Sequence, residues 1–507
     1  MSQTVLLSWL LFAAHVLIVL VAAVLISTNR KPSAAIAWIL TIIFIPVLGI
    51  LFFLLVGFGK LPRKRREKQG EVSEAILART DGLDRVSHRD EWPSWLASMV
   101  RMNRNLGSLP MVGGNSAELI ESYTGSIQAM ADAIDQAQHF VHVEFFILVQ
   151  DEATAPVFDA LERACRREVQ VRVLSDHVAQ FMYPNRKATI RRFAAMGAEY
   201  RPMLPLQPLR GHWRRPDLRN HRKLLVVDSM VGFTGSQNLI IDHYHKKKTI
   251  KRGLHWHELI VRLTGPIVRE LDAVFVTDWY SETDELLPLD TSPVRPEDDD
   301  ELVDAQILPS GPGFDNDNNL KLFAAMIQNA RQRISITSPY YVPDETIQMA
   351  LVTAGSRGLD VELFVSEIGD QFMVFHAQRS YYEQLLRAGV KIYLYRAPTI
   401  LHAKHLSIDD DVAVIGSSNL DIRSLSLHLE LSVLVHGAKF TAAMRAVEDD
   451  YRSKSRQVVL EEWLHRPTRE RIFDNLMRLT SSLQSPAGSG SDQGGSQSLL
   501  ALSSPLI

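Results

Sequence analysis

The chain has 507 residues, a formal net charge of −3 and a single cysteine, Cys165. This length exceeds one ordinary core and predicts two or three domains. The charge argues against a nucleic-acid binder or an acidic tail protein. One cysteine excludes an internal disulfide and a cysteine-based zinc site, which fits a reducing compartment.

Two long uncharged segments begin the chain. Val5–Thr28 contains no formally charged side chain, with His15 as its one titratable group, and a second uncharged segment covers Ser33–Gly59. Each exceeds the roughly 20 residues that cross a bilayer as a helix. No basic segment precedes the first, and a second apolar segment follows directly, which argues against a cleaved signal peptide. We therefore expect a transmembrane hairpin over residues 1–60, with a buried pair of core helices as the alternative. His15 is expected to be neutral and bonded within the hairpin rather than a functional intramembrane group.

Basic residues flank the predicted hairpin unequally. The connection between the two segments holds Arg30 and Lys31, whereas the exit from the second holds Lys60, Arg63, Lys64, Arg65, Arg66 and Lys68. The positive-inside rule therefore places everything after residue 60 on the cytoplasmic side. The same basic cluster is expected to lie against anionic lipid head groups.

The remainder of the chain is predicted to contain two similar halves that alternate strands and helices. The first half contains, in order, Phe140–Val149, Ala153–Arg167, Val169–Ser175, Arg186–Met196 and Glu199–Leu204. The second half repeats this order with Ile334–Val342, Asp344–Ser356, Val361–Ser366, Ala377–Ala388 and Val390–Tyr395. Alternating strands and helices with apolar strands indicate α/β layers around a mainly parallel or mixed sheet.

Composition divides the chain further. We predict a membrane-proximal basic connector, a first half, an acidic linker, a second half and a disordered Gly/Ser/Gln-rich tail. Their expected bounds are 61–115, 116–281, 282–304, 305–484 and 485–507.

One motif occurs in both halves. HRKLLVVDSMVGFTGSQN at His221–Asn238 returns as HAKHLSIDDDVAVIGSSN at His402–Asn419, with every shared residue at the same offset. Six such positions match by chance roughly once in 10⁷–10⁸ windows, so the two copies form an internal repeat. The shared side chains are those of His221, Lys223, Asp228, Ser236, Asn238 and His402, Lys404, Asp409, Ser417, Asn419.

These residue types favour chemistry on a phosphate. Lysine ammonium, asparagine amide, serine hydroxyl and glycine-exposed backbone N–H groups can surround phosphoryl oxygens. Histidine can attack phosphorus and exchange protons near neutral pH. Two related halves facing each other would give one phosphate two histidines, one to form a covalent intermediate and the other to protonate the leaving oxygen.

Strand alternation separates the motif residues. His221 and Lys223 share a face, whereas Asp228 falls on the other, and the same parity applies to Asp409 in the second copy. Both aspartates are therefore predicted to stabilise hairpin turns.

Each histidine needs an acceptor to fix its tautomer. Glu258 and Glu430 lie one strand downstream of each asparagine, so we group each histidine with the glutamate of its own half. A solvent-exposed strand carboxylate is the alternative for either glutamate.

The doubled HxKxxxxD and GSxN motifs resemble the phospholipase D superfamily. With the hairpin, HVEFFIL, RRPDLRNHRK, ITSPYYVP, LHAK and GSSNLDIRS, the chain is similar to bacterial cardiolipin synthases of the phospholipase D type. The resemblance implies two α/β/α sandwich halves in a pseudo-two-fold pair. It further implies condensation of two phosphatidylglycerol molecules to cardiolipin and glycerol, through a phosphatidyl-histidine and without metal or other cofactor, at the bacterial inner (cytoplasmic) membrane.

The resemblance also assigns roles to residues. The catalytic set would be His221, Lys223, Asp228, His402, Lys404 and Asp409, and the phosphate-binding set Asn238, Asn419, Ser236 and Ser417. The family's active-site acids fall on Glu258 and Glu430, and the superfamily often has aspartate at the first of these. Phosphatidylglycerol and anionic membrane lipid are the expected partners, and nucleic acid is not.

Other functions use the same motifs. A hydrolytic membrane phospholipase D or a phosphatidylserine synthase differs only in the acceptor, which is water or serine. The two apolar segments and the acidic charge argue against a nuclease, and two intact motifs argue against a non-enzymatic membrane scaffold.

Several polar residues outside the motifs have two explanations. Four histidines could hold a metal ion, namely His243, His245, His255 and His257. The lysines of 246–248 lie between the two pairs and favour a basic membrane-facing loop instead. A cationic stretch before the first motif is either a solvated face or a lipid-phosphate contact, and comprises Arg210, His212, Arg214, Arg215 and Arg219. Glu144, on the face of His142, is either a buried ion-pair partner or a contact for a glycerol hydroxyl.

Overall fold

The structure is a computed structural model. It describes residues 3–27, 32–56, 67–68, 70–72, 76, 85–206, 218–289, 301–312 and 317–479. Several predicted features lie outside these residues: the charges at 30–31 and 60–66, the cationic positions 210–215, residues 290–300 of the acidic linker and the tail.

Three apolar helices begin the chain: α1 (Gln3–Ser27), α2 (Pro32–Phe44) and α3 (Pro46–Val56). Within α1, Val5–Ile26 is long and apolar enough to cross a membrane. The second predicted span is divided into two shorter helices at Ile45, because Pro46 cannot continue the helical hydrogen bonding of the preceding turn. Gly49 then lies against the end of α2, where a Cβ would be 2.8 Å from the Thr41 carbonyl oxygen.

The strands of the main body form one mixed sheet. In chain order they are β1 (Met111–Ile120), β2 (Phe140–Phe145), β3 (Gln170–Asp176), β4 (Glu199–Met203), β5 (Lys223–Val227), β6 (Val231–Gly235), β7 (His255–His257), β8 (Ile260–Thr264), β9 (Val303–Ser310), β10 (Arg333–Thr337), β11 (Asp360–Ser366), β12 (Lys391–Tyr395), β13 (Thr399–Leu401), β14 (His405–Ile408), β15 (Val412–Gly416), β16 (Glu430–His436) and β17 (Ser455–Gln457). Across the described residues the sheet order is β17-β12-β11-β10-β14-β15-β16-β9-β1-β8-β6-β5-β2-β3-β4, with β7 and β13 paired separately.

This order confirms the two related halves. Outward from the centre, β1-β8-β6-β5-β2-β3-β4 corresponds strand for strand to β9-β16-β15-β14-β10-β11-β12. The halves join edge to edge through antiparallel β1 and β9, where Met111 pairs with Gln306 and Val112 with Ala305. Strands β1 and β9 therefore cross the expected boundaries at 115/116 and 304/305.

Helices cover both faces of the sheet. They are α4 (Leu96–Asn105), α5 (Tyr123–Asp135), α6 (Ala155–Arg166), α7 (Ala179–Met182), α8 (Arg186–Met196), α9 (Lys247–Lys251), α10 (Ile267–Thr283), α11 (Asn318–Asn329), α12 (Glu345–Ser356), α13 (Phe372–Arg387), α14 (Ile422–Ser426), α15 (Ala438–Ser453), α16 (Leu460–Leu464) and α17 (Thr468–Leu479). Helices α10 and α15 share one apolar core that runs through both halves, and each half has a separate core on the opposite face. The predicted strands and helices of both halves are present, with some ends shifted.

The motif aspartates stabilise the sheet at the edge far from the histidines. The Asp228 carboxylate accepts hydrogen bonds from the backbone N–H groups of Gln138, His139 and Phe140 at 2.7, 2.9 and 2.7 Å. In the second half, Asp409 accepts from the N–H groups of 331–333 in the same way. Each aspartate follows a strand that begins beside its motif histidine, about 20 Å away at 3.3 Å per residue. These contacts favour the scaffold role over the catalytic role that the resemblance assigns.

We predict that Asp228→Ala destabilises the fold without removing a reacting group. Three backbone donors lose a charged acceptor, which costs about 2–4 kcal/mol, and alanine is less suited than aspartate to the positive φ of 51° at this position. Thermal unfolding of the purified protein should occur at a lower temperature, and Asp409→Ala should behave alike. A variant that keeps the wild-type unfolding temperature but has no activity would contradict the scaffold role.

Candidate active site

Backbone pairing between the two halves builds the site. Strand β7 pairs in parallel with β13, and the His402 N–H donates to the His257 carbonyl at 2.7 Å. At the related position Asn220 bridges to Leu429, and the His221 N–H donates to the Leu429 carbonyl at 2.8 Å. Each histidine therefore lies beside the residue that immediately precedes a glutamate of the opposite half.

Each histidine is consequently paired with a glutamate across the halves. His402 Nδ1 lies 2.8 Å from both carboxylate oxygens of Glu258, and His221 Nδ1 lies 3.1 Å from the Glu430 carboxylate. Both glutamates are fully buried. An Nδ1–H that donates to a carboxylate leaves Nε2 available for chemistry. The prediction that each histidine bonds to the glutamate of its own half is therefore wrong, because the pairing of β7 with β13 cannot be deduced from local pattern.

The two motif lysines are buried beside the histidines. Lys223 Nζ donates to the backbone carbonyl of His221 at 2.7 Å, and Lys404 Nζ donates to that of His402. Burial lowers the pKa of Lys223 to about 8 and that of Lys404 to about 7, although Glu430 and Glu258 oppose the shift. Two ammonium groups with few protein partners favour an anion between the histidines.

The electrostatic environments of the two histidines differ. Burial and the charges of Lys223 and Lys404 hold the pKa of His221 well below its usual value. Burial also lowers the pKa of His402, against the opposing effect of Glu258. Burial works to raise the pKa of Glu258, but the charge and hydrogen bond of His402 outweigh it and the pKa is lowered. An ionised Glu258 therefore stabilises an imidazolium at His402.

The motif asparagines bond to side chains that in turn bond to the two glutamates, Tyr244 to Glu258 and Ser424 to Glu430. Asn238 accepts a hydrogen bond from the Ile147 N–H at 3.2 Å and donates to the Tyr244 hydroxyl at 3.0 Å. The Asn419 amide donates to the Ser424 hydroxyl at 3.3 Å. A carboxamide has two N–H donors, so each retains one for another acceptor.

The motif serines already have protein partners. Ser236 donates to the Leu259 carbonyl at 3.2 Å and accepts from the Leu259 N–H at 2.9 Å, and Ser417 donates to Glu430. The glycines before them permit this close approach, since a Cβ at Gly235 would lie 2.4 Å from the Leu259 carbonyl oxygen. These contacts indicate that the serines hold the turn and that Ser417 also holds Glu430. Binding of phosphate by the same serines stays a prediction.

Two tyrosines around His402 were not predicted as site residues. The Tyr244 hydroxyl donates to Glu258 at 2.9 Å, and its ring centroid lies 6.5 Å from that of His402. The Tyr340 ring lies 6.2 Å from His402, and its hydroxyl donates to Asp370 at 2.9 Å. Tyr244 lies within the basic, histidine-containing loop, so the sequence signal there was attributed to metal or membrane binding.

His428 lies on the other side, with its ring 5.7 Å from that of His221. It occupies the repeat position that Trp256 has in the first half, two residues before the glutamate. Ligand atoms of His221, His428 and Glu430 lie within 4.8 Å of one another, which suits a zinc-type donor set. A metal ion bound there would coordinate His221 and so prevent its attack on phosphorus. The buried ammonium groups of Lys223 and Lys404 favour an anion in the site instead.

Three of the four histidines considered as a metal site have hydrogen-bond partners, and the fourth, His257, stacks on Tyr395 with ring centroids 5.9 Å apart. His243 Nδ1 accepts from the His245 N–H at 3.1 Å, His245 Nε2 lies 2.9 Å from Asp151, and His255 Nε2 lies 3.0 Å from the Thr399 hydroxyl. In the described part of the chain, the geometry that could hold a metal ion is instead the one around His428.

Two further predicted residues belong to buried networks. His142 Nδ1 lies 2.7 Å from Asp272, so Glu144 is not its partner. Glu144 accepts from the Asn220 side chain at 2.9 Å. Arg219 is buried and donates to Asp176 at 3.4 Å, which does not fit a solvated face.

Comparison with known proteins agrees with this geometry. The family described as "Cardiolipin synthase, PLD-like domain" matches residues 130–279 and 323–450, and the one described as "Phospholipase_D-nuclease N-terminal" matches 16–57. The chain belongs to the cardiolipin synthase family of phospholipase D-like proteins. It is therefore an enzyme of the phosphatidyltransferase type that defines this family.

Curated relatives in the family match over nearly their whole length. Cardiolipin synthase A of Proteus mirabilis is 29% identical over 94% of this chain and 98% of the relative. Cardiolipin synthase A of Pectobacterium atrosepticum is 30% identical over the same shares. A cardiolipin synthase of Geobacillus kaustophilus is 32% identical over 92% of each chain.

A solved structure shares the fold. The phosphatidylserine synthase of Haemophilus influenzae has a TM-score of 0.56 and 15% identity, and the match covers 76% of this chain and 97% of that one. At this identity the likeness supports the two-half architecture alone.

The lysine pKa values predict an alkaline limit to substrate capture. As pH rises through about 7 and about 8, Lys404 and then Lys223 lose the charge that attracts phosphate. We expect kcat/KM to fall over this range. The kcat profile should fall at higher pH, since bound phosphate stabilises the ammonium groups. Steady-state kinetics from pH 6 to 9 would test this, and a constant kcat/KM would contradict it.

Proposed function

We propose that this enzyme condenses two phosphatidylglycerol molecules to cardiolipin and glycerol. The observation that carries the proposal is the paired site: two histidines from different halves, each bonded through Nδ1 to a buried glutamate and each beside a buried lysine. The names of the full-length relatives support this substrate and product. The two-fold relation of the halves supports in-line chemistry at one phosphorus between the histidines.

The first step forms a covalent enzyme. We assign His221 as the nucleophile, because its surroundings favour the neutral imidazole. Its Nε2 forms a bond to phosphorus as the bond from phosphorus to the glycerol oxygen breaks. His402, whose protonated form is stabilised by the carboxylate of Glu258, gives its proton to that oxygen, and glycerol leaves.

The second step transfers the phosphatidyl group. A terminal hydroxyl of the second phosphatidylglycerol gives its proton to neutral His402, and its oxygen bonds to phosphorus as the P–N bond to His221 breaks. This releases cardiolipin and restores both histidines to their starting protonation states. Lys223, Lys404 and the free amide N–H groups of Asn238 and Asn419 would bind the phosphoryl oxygens that gain charge.

Purified enzyme given phosphatidylglycerol alone tests the reaction. We expect cardiolipin and glycerol in equal amounts by lipid mass spectrometry and a glycerol assay. His221→Ala and His402→Ala should each reduce the rate roughly a thousandfold or more, since each removes a reacting group. Phosphatidic acid as the main product would indicate hydrolysis instead, and activity in both variants would contradict the two-histidine mechanism.

A substrate with a weakly basic leaving group separates the histidine roles. Phosphatidyl-p-nitrophenol needs little protonation of its leaving group, so His402→Ala should still release one burst of p-nitrophenol per active site. His221→Ala should release none. The reverse result would exchange the two assignments while leaving the overall reaction intact.

We also propose that residues 1–60 anchor the enzyme as a hairpin, with the two halves on the cytoplasmic side of the inner membrane. Support comes from α1, from the combined length of α2 and α3, and from the charge asymmetry of the flanks. We retain the connector, the linker and the tail 485–507, but end the connector at residue 110 and the linker at residue 302, because β1 and β9 belong to the halves.

A reporter fused after the C-terminus should show the cytoplasmic location. Alkaline phosphatase is active only outside the cytoplasm and green fluorescent protein is fluorescent mainly inside it, so the first fusion should be inactive and the second fluorescent. Active alkaline phosphatase would reverse the topology.

A further inference from the structure

Four large apolar side chains are exposed at the edge of the sheet that holds the histidines. They follow the ends of β3, β6 and β11 and comprise Phe181 (60% exposed), Ile250 (52%), Phe372 (60%) and Met373 (41%). We call these four residues the apolar rim. Single exposed apolar side chains are common, but a group of large ones at one edge indicates a contact surface.

Aromatic contacts connect the rim to the His402 side of the site. Phe181 lies 5.1 Å from the ring of His177 within the same segment. Tyr183, two residues after Phe181, lies 6.2 Å from the ring of Tyr244. Tyr244 in turn lies 6.5 Å from the ring of His402.

A salt bridge connects the remaining rim elements to the same side. Lys246, which precedes α9 and Ile250, lies 3.2 Å from Asp370, which precedes α13 and Phe372. Asp370 also accepts from Tyr340, whose ring lies 6.2 Å from His402. The rim elements are therefore held around one side of the active site.

Well-packed neighbours hold two of the rim side chains outward. The Arg186 guanidinium lies 3.8 Å from the Phe181 ring centroid. The Phe372 ring lies 4.6 Å from His376 and 5.7 Å from Phe473 of α17. Their exposure is thus a property of the folded state.

Basic residues accompany the rim. The segment 246–252 reads KKKTIKR and contains no acidic residue. Four of its cations are exposed, namely Lys247, Lys248, Lys251 and Arg252. Apolar side chains next to exposed cations suit a surface that is apolar below and anionic at its boundary, which describes an anionic bilayer.

We propose that the apolar rim inserts into the head-group region of an anionic bilayer and holds the His402 side of the site against the membrane. The cations of 246–252 would contact lipid phosphates, and lipid would reach the buried histidines without first leaving the bilayer. The choice of lipid as occupant rests on the proposed function. Contact with a second protein copy is the alternative that the experiment must exclude.

The first test measures insertion without requiring activity. Cys165 is the only cysteine, so a Cys165→Ser background permits single labels at Phe181→Cys and Phe372→Cys. Met230→Cys is the matched control, because Met230 is 67% exposed but lies in the β5–β6 turn at the opposite edge of the sheet. With an environment-sensitive dye on the full chain in phosphatidylglycerol nanodiscs, the two rim labels should shift to shorter wavelength and the control should not.

The second test separates docking from chemistry. Phe181→Ser with Phe372→Ser should raise the phosphatidylglycerol mole fraction needed for half-maximal rate by roughly tenfold, the effect of losing about 1.4 kcal/mol of apolar burial. The rate on monomeric dihexanoyl-phosphatidylglycerol should remain unchanged. Met230→Ser should change neither rate.

Three results would overturn the proposal. Rim labels that remain water-exposed in nanodiscs would show that the rim does not insert. An equal loss on monomeric and bilayer substrate would place the rim within the substrate pocket. A rim-label shift that depends on protein concentration and not on lipid would indicate a second copy. Absence of cardiolipin with intact label shifts would instead count against the proposed reaction.

Discussion

The interaction on which the site depends is the pairing of β7 with β13 and of Asn220 with Leu429. In both places a backbone segment that leads to a glutamate of one half lies beside a segment that leads to a histidine of the other. Glu258 reaches His402 and Glu430 reaches His221 only because of this exchange. Neither half alone contains a motif histidine, His221 or His402, together with the glutamate that bonds to it.

Burial makes this exchange consequential. Two lysines, two glutamates and two histidines are all nearly inaccessible to water in the described structure, and an unpaired charge in such a place is costly. Opposite charges from the two halves offset one another, so the protonation state of each group depends on the other half. The site is therefore both the junction of the halves and the place where their electrostatics are matched.

Much of the fold was predictable from the sequence because it is local. The helix Arg186–Met196 has the bounds expected from its pattern, and strand parity alone separated Asp228 from His221. The break at Pro46 in the second apolar segment is evident from the residue itself, since proline kinks a helix, whereas β10 ends at Thr337, five residues before the expected end.

The site was only partly predictable for a different reason. The repeat indicated which histidines, lysines and glutamates matter, since both copies contain them. It could not indicate which glutamate faces which histidine, because that depends on strand pairing between segments more than 140 residues apart. Tyr244 and Tyr340 were not predicted as site residues because both lie outside the two motifs, and only the folded chain brings their rings to His402. Glu144 is buried, as one of its two explanations requires, but its partner Asn220 lies on a distant segment that local pattern does not indicate.

The central β1–β9 pairing has a wider consequence. It relates the halves as two subunits of a symmetric dimer would be related, with each contributing to the other's reactive centre. In a true dimer of identical chains, any substitution appears on both sides at once. Here one chain encodes both sides, so His428 lies beside His221 while the equivalent position in the other half is Trp256, which packs on Tyr244. Duplication within a single polypeptide thus allows the donor and acceptor sides of one reaction to diverge, which an identical pair of subunits could not do.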